Sequence, residues 1–199
     1  MNYEIRRGKF IVFYGINNLG KTTQAKLLVE RLQKEGHRAE YVKYPIYDLH
    51  PSGTMLNTYL RQGNPFECSA REVQTIYALN RTQYEPTLKE KLTHGIHIVA
   101  EDYTGTGIAW GIGAGVAESY LKLVNDHLHK ENLAFLFDGE RFIEATETNH
   151  RHESDQELLT RVRKAHLVLA SEFGWKRIDA NLPIEVIHEK IWGGVQSLL

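Results

Sequence analysis

The stretch Gly15-Ile-Asn-Asn-Leu-Gly-Lys-Thr-Thr23 lies between the apolar run Phe10–Tyr14 and the amphipathic run that begins Gln24-Ala-Lys-Leu-Leu28. It fits G-x-x-x-x-G-K-[ST], with Gly15, Gly20, Lys21 and Thr22 at the fixed positions. Glycine reaches backbone conformations closed to other residues, so such a loop can curl until successive N–H groups point inward. A ring of donors ahead of a helix N-terminus binds phosphate oxygens. Asn17, Asn18, Leu19 and Thr23 complete the cradle, Lys21 bridges the β- and γ-phosphates, and the Thr22 hydroxyl is suited to ligate Mg²⁺. The pattern therefore predicts a site for a nucleoside triphosphate with Mg²⁺, entered from a strand and left by a helix.

Working outward, apolar runs alternate with helix-period stretches along the chain. Phe10–Tyr14, Ala39–Lys43, Ile96–Ala100, Leu133–Phe137 and Trp175–Ile178 read as strands. Between the first two, Ala25, Leu28, Val29 and Leu32 recur at helical spacing, and Gly36 supplies a stop. Ser69-Ala-Arg-Glu72 reads as a capping box opening a helix toward Arg81, and Ser154-Asp-Gln-Glu157 as another opening a helix toward Ala170. Pro86 is expected at a break or a first turn. Pro183 starts a last helix whose apolar face is Val186, Ile187, Ile191, Val195 and Leu198. This alternation implies a three-layer α/β domain over residues 1–199: a parallel five-stranded sheet with helices on both faces. In such sheets ligands bind at the carboxyl ends of the strands, so the chemistry is sought after Tyr14, Lys43, Ala100 and Phe137.

Composition narrows the partners. A net charge of -1 gives no broad electrostatic basis for binding nucleic acid or an anionic membrane. Cys68 is the single cysteine, which excludes an intrachain disulfide and suits a reducing cytoplasm. Arg6, Arg7 and Lys9 precede an apolar run too short to span a bilayer and lacking a cleavage site, so neither a signal peptide nor an anchor is read. No N-K-x-D or T-K-x-D guanine clamp follows, against a GTP-reading switch.

Taken in order, the stretches resemble the thymidylate kinase family of P-loop nucleoside monophosphate kinases. "GINNLGKTTQ" stands at its phosphate loop, "KYPIYD" at its F-P-x-R segment, and "MLNTYLRQG" at its acceptor-side helix. "IYALNRTQY" stands at its F-x-x-[DN]-R segment and "HIVAEDYTGTGIAWG" at its V-x-D-R-Y block. "LAFLFDGE", "HRHES" and "WKRIDANLPIEVIHEKI" match its later strand, lid and closing segment. The resemblance implies the P-loop kinase fold, transfer of the γ-phosphoryl group of ATP to dTMP, and a homodimer. It implies an acceptor site with Pro45, Tyr77 stacked on the base, Arg81 donating to it, and Tyr103 beside the deoxyribose. A polar contact to the base discriminates strongly, because the wrong base leaves the donor unpaired.

Glu101 stands at the family's acidic strand end, where it holds Mg²⁺ near Thr22 or alternatively accepts a proton from the acceptor. Its neighbour Asp102 is expected on the opposite face, since adjacent strand residues alternate. Thr146–Asp155 reads as a polar lid, from which Arg151 reaches the transferring phosphoryl group. The glycines of "GTGIAWGIGAG" are expected to allow close approach of the acceptor.

Three residues depart from the family pattern. Tyr47 stands where an arginine grips the acceptor phosphate, Asp102 where a second arginine does, and Asn17 where the loop carries an acid. Lys43, Arg61 and Arg71 are the candidate replacements. These departures keep two further readings open: a kinase for a nucleoside or modified nucleotide, and a nucleotide-binding protein with little kinase activity.

Overall fold

The computed structural model of the chain describes residues 7–140 and 155–199. Five strands, β1 (Phe10–Tyr14), β2 (Ala39–Lys43), β3 (His97–Glu101), β4 (Leu133–Asp138) and β5 (Lys176–Asp179), form one sheet in the order β2-β3-β1-β4-β5. All four pairings are parallel. Every residue of β1 and β3 is buried, so both faces of the sheet are covered at its centre. Among the described residues there are seven helices, α1 (Lys21–Lys34), α2 (Ser52–Arg61), α3 (Ala70–Thr93), α4 (Thr104–Gly113), α5 (Glu118–Asn125), α6 (Gln156–Phe173) and α7 (Ile184–Gln196), of which α1, α3, α6 and α7 pack on the strands. Helices α1 and α7 pack on each other, while α4 packs against α3, α5 and α6. No helix among the described residues is long and apolar enough to cross a membrane.

Local sequence sets several boundaries. The Ser69 hydroxyl accepts the Glu72 N–H and the Glu72 carboxylate accepts the Ser69 N–H, the capping box expected there. Past α1, Gly36 turns the chain with φ 86°.

The expectation for Pro86 is overturned. Helix α3 runs straight through it to Thr93. Ala78, Arg81, Glu85 and Leu88 bury one face of the helix on both sides of the proline, and that packing outweighs one lost backbone hydrogen bond.

The N-cap of α6 is Asp155, whose carboxylate accepts the Leu158 N–H at 2.9 Å, rather than Ser154. Val186 is 42% exposed, so the apolar face of α7 is Ile187, Ile191 and Val195. The fifth strand begins after Trp175, whose ring stacks on Tyr14 at 4.1 Å. The third strand likewise starts one residue late, at His97.

Candidate functional site

Strand β1 ends at Tyr14 and the chain turns at once. Gly15 has φ 133°, and a Cβ there would lie 2.4 Å from the Phe137 carbonyl oxygen, so only glycine fits beside β4. Asn18 and Gly20 also adopt positive φ, at 64° and 76°. No side chain caps the first turn of α1 and no acid stands in it. Its N–H groups therefore keep their partial positive charge for an anion.

Lys21 is buried inside the turn. Its Nζ donates to the Gly15 carbonyl at 3.0 Å and the Ile16 carbonyl at 2.8 Å, and stands 3.6 Å from Asp102 Oδ1. Thr22 Oγ1 donates to Glu101 Oε2 at 3.1 Å. The Tyr41 hydroxyl donates to the other Glu101 oxygen, and Lys43 Nζ lies 4.0 Å from the first. Parallel register explains the meeting: Glu101 ends β3 opposite Phe13 of β1 and Lys43 of β2. Burial, then the hydrogen bond and charge of Glu101, push the Tyr41 hydroxyl well above its ordinary range, so it stays a donor.

The prediction that only one of the two adjacent acids faces the loop is corrected. Asp102 leaves strand geometry with φ 61°, which swings its carboxylate back beside Lys21 and onto the Thr106 hydroxyl at 3.2 Å. Both acids therefore face the loop. Burial raises the Asp102 pKa, and the Lys21 charge opposes the rise.

Behind Lys21, His166 of α6 is buried with Nδ1 3.0 Å from the Val162 carbonyl. Its Nε2 has no partner among the described residues. Burial first, and the Lys21 charge second, hold its pKa down at about 3.

From the loop a continuous cavity of about 890 Å³ extends between α2, α3 and α4. Asn17, Asn18, Leu19, Gly20, Lys21, Thr22 and Thr23 line one end. Pro45, Tyr77 and Arg81 line the other, together with Tyr59 and Trp110. Asn80 clamps the segment carrying Pro45: its amide exchanges hydrogen bonds with the Ile46 N–H and carbonyl, both at 2.8 Å. Arg81 Nε donates to Asn125 Oδ1 at 3.0 Å. Burial lowers the pKa of this guanidinium.

Of the sequence-predicted residues, the structure brings together the loop, Glu101, Pro45, Tyr77 and Arg81. Gly15 shapes the turn from behind without lining the cavity. Tyr103 is a correction: it is fully buried, packs on Phe10 and Tyr44 at 4.9 and 5.0 Å, and does not line the cavity. The glycine-rich block is corrected in part. A Cβ on Gly105 would strike Trp175, on Gly111 Leu121 and on Gly113 Val162, so these glycines admit neighbouring side chains to α4. Among the five glycines of the block, only Gly107 borders the cavity, and a Cβ there would lie 2.8 Å from Arg81 Nη2. Among the candidate arginine replacements, Lys43 and Arg61 line the cavity, whereas Arg71 lies over the Tyr120 ring at 4.0 Å. Arg151 lies outside the described residues, as does the lid except Asp155.

Sequence reasoning missed Tyr41, Gln74 and Trp110. Gln74 was findable, standing three and seven residues before Tyr77 and Arg81 on the same helix face. Tyr41 carried no signal, since only the parallel register reveals its reach to Glu101.

Comparison with known proteins adds the lineage. A family model described as thymidylate kinase matches residues 13–191. The chain is 31% identical over 192 residues to the thymidylate kinase of Homo sapiens, covering 94% of this chain and 89% of that one. It is 27% identical over 194 residues to a probable thymidylate kinase of Methanocaldococcus jannaschii, covering 95% and 96%. The solved thymidylate kinase of Candida albicans superposes with a TM-score of 0.79 at 20% identity, covering 96% and 92%.

Proposed function

The chain belongs to the thymidylate kinase family, and from that premise we propose that it transfers the γ-phosphoryl group of ATP to dTMP, giving dTDP and ADP. The observation that carries this reading is the single cavity joining the Lys21–Thr22–Glu101 end to the Tyr77–Arg81 end. A donor and an acceptor seated at those ends meet head to head, as in-line transfer requires. An oxygen of the dTMP phosphate attacks the γ-phosphorus as the bond to the β–γ bridging oxygen breaks. Lys21 balances the charge on the transferring group, and the N–H groups of residues 15–23 hold the β-phosphate. Tyr77 stacks on the base and Arg81 donates to it. Arg151 is proposed to close over the phosphates from the lid.

The hard-oxygen pair Thr22 Oγ1 and Glu101 Oε2 fits a magnesium ion. No cluster of three or more His, Cys, Asp or Glu side chains suited to a metal occurs among the described residues. Thr22 Oγ1 and Glu101 Oε2 would hold such an ion, and its charge would supply shielding of the phosphates there. The proposal extends to a cytoplasmic homodimer, supported by the lone cysteine and by the family resemblance.

Asp102, standing where the family has an arginine, favours one second reading: an acceptor without a phosphate, such as thymidine. Its carboxylate then takes the proton of the 5′-hydroxyl that attacks the γ-phosphorus. A coupled ADP-release assay with ATP, Mg²⁺ and dTMP, dUMP, dCMP or thymidine tests both readings. Turnover is expected with dTMP. Turnover with thymidine alone selects the second reading, and none with any acceptor overturns both.

A further inference from the structure

On α3, Gln74, Tyr77 and Arg81 recur at intervals of three and four, a stripe that lines the cavity. Gln74 is 7% exposed and Arg81 2%. Each carries a buried polar atom without a partner among the described residues, Gln74 Oε1 and Arg81 Nη2. Such atoms are costly to bury unpaired and are rare in folded chains, so two carried by side chains of one cavity wall point to a ligand that pairs them.

Both side chains press on α4. A Cβ on Gly107 would meet Arg81 Nη2 at 2.8 Å, and one on Gly111, one turn along, would meet Gln74 Cγ at 3.2 Å. The unpaired donor and the side chain that carries the unpaired acceptor thus border the same stretch of α4, with Tyr77 between them in sequence. One is cationic and donates only; the other, an amide oxygen, accepts.

Pyrimidine edges answer this pair differently. Thymine and uracil present an acceptor, O4, beside a donor, N3–H. Cytosine presents the reverse, an amino donor beside a bare N3. In a base already placed by Arg81 at O4, N3–H is the one ring donor, and Gln74 Oε1 is its match.

We infer that Gln74 is a specificity-determining residue of the acceptor pocket, accepting the N3–H of the base while Arg81 donates to O4. A cytosine then meets two donor–acceptor mismatches and a thymine none, which sets the preference among pyrimidines. The inference deepens the dTMP reading and rests on it.

Calorimetric binding and coupled-assay kinetics of the wild type and Gln74→Met, with dTMP, dCMP and N3-methyl-dTMP, test the assignment. Gln74→Met removes the acceptor at nearly constant volume. It should weaken dTMP binding about tenfold and cut the dTMP-over-dCMP preference in kcat/KM by at least about tenfold. The KM for ATP should stay within about twofold, a split that a general structural lesion would not give. The wild type should lose about tenfold or more on N3-methyl-dTMP, and the variant should lose less, because the bond is already gone.

Unchanged dTMP affinity and preference in Gln74→Met overturn the assignment while leaving dTMP kinase activity intact. If Gln74→Met does not fold, equal affinity of the wild type for dTMP and N3-methyl-dTMP overturns it alone. A wild type that binds no dTMP overturns the functional reading and this inference together.

Discussion

His166 ties the stability of the fold to pH in a way that can be worked out. The ring is fully buried behind the phosphate loop, and burial with the nearby Lys21 charge holds its pKa at about 3, against 6.5 for an ordinary histidine. In the folded protein it is neutral, with Nδ1–H donated to the Val162 carbonyl. Below pH 6.5 the unfolded chain takes up a proton here that the folded chain refuses, so stability falls as pH falls through the window from 6.5 to 3. At pH 5 the unfolded state is favoured by RT ln(1 + 10^1.5), about 2 kcal/mol. That figure barely changes for any folded pKa below about 4. His166→Phe removes the titrating group at similar shape. For a chain of this length 2 kcal/mol is about 4–8 °C in Tm. Thermal unfolding by circular dichroism at pH 7.5 and pH 5 should therefore show the wild type losing about 4–8 °C more than the variant. Burial also lowers the pKa values of His97 and His188, but both are present in both proteins and cancel in the difference. Equal losses in the two proteins would falsify the assignment of this proton.

Three further outcomes follow from the site. Lys21→Ala should lower turnover by at least about 100-fold while the circular dichroism spectrum stays native, because it removes a charge aimed at the transferring group; near-normal turnover contradicts that role. Glu101→Gln keeps the shape of the side chain and removes its charge, so the Mg²⁺ concentration for half-maximal rate should rise about tenfold, and an unshifted Mg²⁺ titration rules out the carboxylate as a ligand. Gly107→Ala would set a methyl 2.8 Å from Arg81 Nη2. Displacing that guanidinium should raise the KM for dTMP about tenfold and leave the KM for ATP alone; equal rises in both would show a general distortion instead.

What could be read from the sequence was what depends on near neighbours along the chain. The phosphate loop is a local pattern of glycines and a lysine, and the central strands are continuous apolar runs, so both were legible. Helix α4 was not, because glycines at 105, 107, 111 and 113 argue against a helix until α6, α3 and α5 are packed against it. Asp102 misled through a sound rule applied one residue too far: strand alternation ends where φ turns positive. Tyr103 followed the family pattern in sequence but lies in the core, since a motif position fixes neither depth nor direction. Tyr41 reaches Glu101 across the β2–β3 pairing, a contact between residues 60 apart that periodicity does not encode.

The two carbonyl contacts of Lys21 have a consequence for how an ammonium so placed can serve. Gly15 and Ile16 already take two of its three protons, and Asp102 neutralises much of its charge. A phosphate oxygen arriving there competes with tenants in residence and trades one set of contacts for another. The lysine should therefore add little to the affinity for ground-state nucleotide. Its advantage emerges as negative charge shifts during transfer, when the newcomer outbids the peptide oxygens, so its loss should register in kcat far more than in the grip on ATP.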